Sequence, residues 1–266
     1  MERSKVAAKM IKLLENKIYC GNVLRFVDET ISTKIDESPN IKIYKLKIES
    51  VPVTVQILKY NDTDDENTED DPEKKRNKKW VEKKFKVYDF ITDANYTGFE
   101  YFPYIYGVLN CHDGENSRLY VFYEFFEGNL VDLVNNIGHP SEWYDIVFQF
   151  IIINNYIQMI NNYSYKVSLK NFLYKKLQKP IYQLYNFGEY QFNIKHQYLV
   201  VLWGIDEMEP ITENSTNNIS LLLKFIDENK DNIKVPASGR IIKLLTDVIE
   251  NPNKTIDILN QYYNTN

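Results

Sequence analysis

Lys166 stands five positions before Asn171 near the middle of the chain, and Asn171 leads directly into the apolar run 172–174. An asparagine amide oxygen can bind a divalent cation, which is useful chemistry for handling phosphates. A lysine ammonium is positive at neutral pH and has no lone pair, so Lys166 cannot accept a proton from an attacking hydroxyl. The pair is either a phosphate-binding lysine beside a metal-binding asparagine, or a solvent-facing lysine beside an asparagine that caps a turn. We favour the second interpretation.

The other reactive residue types form no recognisable constellation. The histidines at 112, 139 and 196 are scattered, without cysteine or carboxylate at ligand spacing, so we expect no metal site. No Gly-x-Ser-x-Gly motif indicates a nucleophilic serine. Cys20 and Cys111 stand alone. We expect both to be reduced structural thiols in a cytosolic setting.

The composition limits the classes of protein that this chain can belong to. Its 266 residues are 44% hydrophobic, which suffices for one large domain or two closely packed lobes. A net charge of −5 argues against nucleic acid as the main partner. No run of eighteen apolar residues predicts a membrane span, and the charged start does not resemble a signal peptide. We therefore expect a protein that is neither secreted nor membrane-bound.

Helical spacing of apolar residues predicts a leading helix, an amphipathic helix, a buried helix and three closing helices. These segments are residues 4–17, 80–92, 143–160, 219–225, 241–249 and 255–263. Residues 61–79 are almost purely charged, and we expect them to form a mobile loop.

Strands are predicted mainly in the first half of the chain. Residues 41–48 and 51–58 have strand patterns, and Glu49 and Ser50 between them indicate a hairpin. Apolar runs at 119–126 and 198–203 predict two more strands. The order indicates an α+β fold with a strand-rich lobe, a helix-rich lobe and a cleft between them.

This order resembles the protein-kinase family, in the small divergent form encoded by large DNA viruses, over roughly residues 18–263. Residues 53–59 look like the third strand of the small lobe, where kinases carry Val-Ala-Ile-Lys; Gln56 replaces the phosphate-binding lysine. Lys59 should lie on the opposite face of that strand. The helix at 80–92 looks like the regulatory helix, with Glu82 or, in another register, Lys84 at the position of its acidic residue.

The resemblance also assigns the connector between the lobes and the catalytic loop. Residues 119–127 look like the fifth strand and the hinge, so Glu124, Phe125 and Phe126 would face a nucleotide if one bound. In the catalytic loop, Lys166 replaces the aspartate that acts as base, while Asn171 is retained.

The Asp-Phe-Gly motif is degenerate and the glycine-rich loop is missing. Gly204 falls at the first or the third position of the motif, depending on register, and neither register begins with aspartate. Asp206 or Glu207 could hold a metal only in a displaced geometry. The chain after Asp206 is too short for a full activation segment and the usual substrate-binding helices.

The resemblance therefore implies a two-lobed kinase-like fold: a β-rich small lobe at 1–123, a hinge at 124–128 and a truncated helical large lobe at 129–266. It implies a pseudokinase without cofactor or metal, acting as a scaffold or regulator through viral or host protein partners in the host cytoplasm, a viral factory or the virion. The alternatives are an atypical ATP-dependent protein kinase and a structural subunit of a viral complex or virion.

Overall fold

A computed structural model describes residues 3–61, 77–113, 117–161, 163–165, 167–203, 208–210 and 218–264. The chain divides into two compact units, Met1–Phe125 and Phe126–Asn266. The fold is α+β, with an antiparallel five-stranded sheet in the first unit. Among the described residues, no helix combines the length and the apolar character of a membrane span.

The sheet of the first unit has the strand order β1-β2-β3-β5-β4, and every neighbouring pair is antiparallel. Its strands are β1 Ile31–Glu37, β2 Ile41–Ile48, β3 Val51–Lys59, β4 Ile105–Cys111 and β5 Arg118–Glu124. The predicted hairpin is confirmed: β2 and β3 pair in register, and Glu49 and Ser50 have positive φ angles of 47° and 71°. A two-residue turn in which both residues have positive φ angles matches the right-handed twist of the flanking strands.

Three helices cover this sheet: α1 Arg3–Lys17, α2 Val23–Thr30 and α3 Lys78–Tyr96. Met10, Leu14 and Val27 of the first two helices share a buried core with Val53 and Val55 of β3. Alternate residues of a strand point to opposite faces, so Thr54 and its partner Tyr123 belong to the other face. Tyr88 of α3 lies close to Tyr123, which places α3 on that face.

The described residues of the second unit form five α-helices: α4 Leu130–Asn135, α5 Pro140–Asn161, α6 Asn218–Glu228, α7 Gly239–Glu250 and α8 Thr255–Tyr263. The apolar pattern of α5 ran nearly all round the helix, and its middle turns are buried as predicted. The three closing helices also form where their patterns predicted them.

The second unit also contains more sheet than a helical lobe would. Strands β6 Gly128–Asn129, β8 Phe172–Phe187 and β9 Tyr190–Leu202 form one antiparallel sheet, and β7 Tyr163–Tyr165 pairs with β10 Met208–Pro210. For the long β8–β9 hairpin, the sequence interpretation contained only the apolar run 172–174, at the start of β8, and the strand at 198–203, at the end of β9. It also missed α2 and β1, whose short patterns contain many charged residues.

The expectation of two reduced cysteines is wrong in this structure, because Cys20 and Cys111 form a disulfide. The turn after α1 brings Cys20 beside β4, with 5.4 Å between the two Cα atoms. The cysteines are 91 residues apart. Their spacing along the chain therefore carries no signal, and only the packing of α1 against β4 brings them together.

Candidate functional site

Gln56 lies on β3, paired with Ile43 of β2 and Val121 of β5, and is half-buried. Its neighbours Val55 and Ile57 face the core beneath α1 and α2, so Gln56 faces the other side of the sheet. Lys59 shares the face of Ile57, as the strand period predicted. It therefore cannot replace a lysine at position 56, and Gln56 supplies a neutral amide there.

Asn171 ends the 3-10 turn Leu169–Asn171 and takes part in a local capping arrangement. Its side-chain Oδ1 accepts a hydrogen bond from the backbone N–H of Ser168 at 3.1 Å. In return, the hydroxyl of Ser168 accepts from the N–H of Lys170 at 3.3 Å. The backbone oxygen of Asn171 accepts from the N–H of Trp203 at 2.7 Å, next to the end of β9. This geometry matches the turn-capping interpretation of Asn171.

Glu124, the first residue of the predicted hinge, is only 6% exposed and is held by Arg3 of α1. The guanidinium donates to both carboxylate oxygens, from Nε at 3.1 Å and from Nη2 at 2.7 Å. Arg3 also donates to the backbone oxygens of Glu100 and Phe102. Although burial disfavours the charged guanidinium, the adjacent carboxylate raises the pKa of Arg3 above its ordinary value. The carboxylate of Glu124 is therefore committed to an internal ion pair.

Phe125 and Phe126 each contact a cation within their own unit. The Nζ of Lys45 lies 4.1 Å from the ring centroid of Phe125, and the Nζ of Lys175 lies 5.5 Å from that of Phe126. Both geometries fit cation–π contacts. The remaining predicted site residues, Lys166, Gly204, Asp206 and Glu207, lie outside the described residues.

The sequence interpretation missed a buried polar network that joins α5 to the β8–β9 hairpin. The hydroxyl of Tyr185 lies 2.6 Å from Nε2 of His196, and Nδ1 of His196 lies 2.6 Å from Oδ1 of Asp145. Asp145 also accepts from Nε2 of Gln149 at 2.6 Å. Its second oxygen accepts from the backbone N–H groups of Gln197 and Tyr198 at 2.7 Å and 3.1 Å. Four donors thus converge on one carboxylate.

This hydroxyl–imidazole–carboxylate order resembles that of nucleophilic triads. Burial excludes that use here, because Tyr185, His196 and Asp145 are 8%, 3% and 3% exposed. Gln149 also accepts from the N–H of Val200 at 2.9 Å, which extends the network along β9. The network is a structural connection between α5 and β9.

A signal for this network was present in the sequence. Phe192, Ile194 and His196 alternate with polar residues along β9, which is the period of a half-buried strand. Gly188, with a φ of 59°, and Glu189 form the two-residue connection from β8, a common hairpin signal. Only the fold could show that Asp145 of α5 meets His196.

The far half of β8 presents an open strand edge. Its other neighbour, β6, pairs only with Leu173 and Tyr174, and no other described strand pairs with that side of β8. Residues 181–187 carry no charge. Ile181, Tyr182 and Leu184 are 49%, 69% and 57% exposed. Natural edges are usually protected by charges, prolines or bulges, and here Lys179 and Pro180 protect only the segment before this run.

The fold and these sites define an α+β protein of two units with no described group of three or more His, Cys, Asp or Glu side chains that could hold a metal ion. No family model matches the chain. It is 42% identical over 278 aligned residues to a protein of Acanthamoeba polyphaga mimivirus named "Uncharacterized protein R691", with 99% of each chain covered. The chain belongs to the same protein family as this viral protein.

Proposed function

We propose that the protein has a kinase-like fold without phosphotransfer activity. We further propose that it acts as a binding scaffold, whose open β8 edge receives an extended segment of a partner protein. The place of action proposed for it is the host cytoplasm, a viral factory or the virion, and its membership of a family with a viral member supports a viral setting.

The order of elements in the first unit supports the kinase-like part of this proposal. Three antiparallel strands are followed by helix α3, then by two more strands and the connector. The resemblance implies this order, with the regulatory helix after the third strand and the hinge after the fifth. Gln56 lies on the same face of the sheet as Thr54 and Tyr123, the face that carries α3.

Three placements support the absence of catalysis. Gln56 is neutral and cannot neutralise a phosphate. The Oδ1 of Asn171 is engaged in the cap of its own turn. The carboxylate of Glu124 is buried in an ion pair with Arg3. The side chains of Asn171 and Glu124 are thus engaged in local structure, and Gln56 lacks the charge of the kinase lysine.

The observation that carries the binding role is the uncharged edge at residues 181–187, which no described strand other than β9 pairs with. An extended peptide can add a strand to such an edge through backbone hydrogen bonds, with exposed side chains giving specificity. Tyr182 and Leu184 lie on one face of the hairpin, where they could contact alternate side chains of the added strand. A protein partner with a short apolar extended segment fits this edge.

The absence of nucleotide chemistry is tested by the melting temperature with and without millimolar ATP and Mg²⁺. A ligand at a hundredfold excess over its dissociation constant stabilises the native state by about 2.7 kcal/mol. We expect no shift, and the same result with EDTA in place of Mg²⁺. A rise that depends on the metal would contradict the proposal and favour the atypical kinase.

The docking role is tested by selecting peptides from a displayed library on the wild-type protein and on two variants. Tyr182→Glu charges the edge, and its cross-strand partner Lys195 offsets that charge within the hairpin. Tyr96→Glu is the matched control, because Tyr96 is another strongly exposed tyrosine, at the end of α3.

We expect selected peptides to bind the wild type and the control, to lose at least tenfold in affinity for Tyr182→Glu, and to protect the amides of 181–187 from hydrogen exchange. Binding that both variants weaken equally would contradict an edge-specific site. Concentration-dependent dimerisation through the same edge, seen by sedimentation, would replace the foreign partner with a second copy.

A further inference from the structure

The face of the first unit's sheet that packs against α1 and α2 contains a pocket of about 180 Å³, between α2, the β1–β2 turn and the ends of β2, β3 and β5. Its apolar wall includes Leu24, Val27 and Ile57. Three of its lining residues are cations: Lys42, Lys59 and Arg118. Asp28 is the one carboxylate in the lining, so positive charge predominates.

The strand register brings these cations to one face. Lys59 of β3 stands directly opposite Arg118 of β5, and paired residues of antiparallel strands point to the same side. Lys42 of β2 is opposite Ile57, which lies two residues before Lys59 on that face. The three side chains therefore converge at one end of the sheet, beside the apolar wall that α2 provides.

Lys42 has an ion-pair partner, whereas the other two cations have none among the described residues. The Nζ of Lys42 lies 2.9 Å from a carboxylate oxygen of Glu37. Neither Lys59 nor Arg118 forms an ion pair or a side-chain hydrogen bond within the part of the chain that the structure describes. Like charges directly opposite each other on a sheet are destabilising. Both side chains are half-buried, so solvent relieves this repulsion only in part.

We propose that this pocket binds a phosphate group, either as the free anion or as a phosphorylated side chain. A guanidinium fork and an ammonium group are the side chains that bind phosphate oxygens through charge-assisted hydrogen bonds. The pocket has room for a tetrahedral oxyanion with a short substituent, and its apolar wall would contact that substituent. The site lies on the sheet face opposite Gln56, so it does not rest on the proposed function.

The test is calorimetric titration of the full chain with sodium phosphate at constant ionic strength, adjusted with sodium chloride. We expect saturable binding to the wild type. The dissociation constant should be at least tenfold larger for Lys59→Gln and for Arg118→Gln. Lys47→Gln is the matched control, since Lys47 is an exposed lysine at the other end of β2 and should bind as the wild type does. Circular dichroism checks that every variant is folded.

A second titration with O-phospho-L-serine separates the two sources of the phosphate. Tighter binding than that of inorganic phosphate identifies a phosphorylated side chain as the ligand, whereas equal or weaker binding identifies the free anion. The proposal is overturned if phosphate shows no saturable binding up to tens of millimolar. It is also overturned if Lys47→Gln loses as much affinity as Lys59→Gln, because the effect would then be one of net charge.

Discussion

Two charged groups, one from each unit, differ in how their charge is compensated. In the second unit, Asp145 is buried and receives four hydrogen bonds from His196, Gln149 and two backbone N–H groups. In the first unit, Lys59 and Arg118 face each other across neighbouring strands without a carboxylate partner in the described ranges. The carboxylate of Asp145 therefore has its hydrogen-bond partners within its own unit, whereas the two cations have no counterion among the described residues.

This difference separates structural polar groups from candidate binding groups. A buried group whose donors and acceptors are all provided internally stabilises the fold and has nothing left to offer a ligand. Cations that the register of a sheet holds together, with no counterion among the described residues, can bind an external anion. The catalytic-looking order of Tyr185, His196 and Asp145 is therefore the weaker functional signal, despite its short distances.

The largest loss of stability is expected when the carboxylate at the centre of the Asp145 network is removed. Asp145→Ala leaves three buried donors and one partly buried donor without their acceptor, and each unpaired buried group costs about 1 to 3 kcal/mol. Since such costs are not additive, we expect a loss of about 3 to 5 kcal/mol in the free energy of unfolding. Urea denaturation followed by circular dichroism measures it.

The control for that variant is Glu228→Ala, which breaks the exposed pair of Lys224 and Glu228 on α6. Exposed pairs contribute little, so this change should cost less than about 0.5 kcal/mol. If Asp145→Ala were as mild as its control, the network would not be the connection between α5 and β9 that its geometry indicates.

The next effect concerns the first unit, where the disulfide fastens the turn after α1 to β4. The bond closes a loop between residues 91 positions apart, and cross-links of this kind typically contribute about 2 to 4 kcal/mol. We expect dithiothreitol to lower the melting temperature of the wild type. The variant with both Cys20→Ser and Cys111→Ser should melt at the temperature of the dithiothreitol-treated wild type. Dithiothreitol should not change the melting temperature of this variant. Two free thiols in the unreduced, denatured protein would refute the bond.

A smaller loss is expected at the other end of α1, where Arg3 holds Glu124. Arg3→Met keeps much of the apolar stem but leaves the carboxylate of Glu124 buried without its cation. Hydrogen bonds to charged groups contribute about 1.5 to 3 kcal/mol, so we expect a loss of about 2 kcal/mol. Restoration by the second change, Glu124→Gln, would show that the cost lies in the unpaired charge. A double variant no better than Arg3→Met would argue instead for lost packing.

Sequence patterns predicted the elements whose apolar residues follow a regular period over a long run. Helix α5 and the β2–β3 hairpin are examples, since burial on every side and strict alternation each leave a signature in the residue order. The β8–β9 hairpin was missed because much of β8 is exposed on both faces, so it shows no alternation. Its turn at Gly188 and the alternating β9 were the available signals.

The candidate sites depended on contacts between distant residues, and the sequence could not supply these. Cys20 with Cys111, Arg3 with Glu124, and Asp145 with His196 are pairs that only the packing of helices on sheets creates. The role of Asn171 was open between metal binding and capping, and its short-range partner Ser168 matches capping. Local chemistry was thus more predictable than any site assembled from several elements.

The smallest expected effect is a gain in the free energy of unfolding, whereas the other changes are expected to lower it. Without phosphate, Lys59→Gln should stabilise the protein slightly, by about 0.2 to 0.5 kcal/mol, since it removes a like charge directly opposite Arg118. Lys47→Gln, at the other end of β2, should leave the stability unchanged. If Lys59→Gln stabilises the fold and also weakens phosphate binding, then Lys59 serves the ligand at a cost to the stability of the fold. If Lys59→Gln destabilised the protein instead, Lys59 would have to be a structural residue like Asp145, and the contrast between the two charged groups would fail.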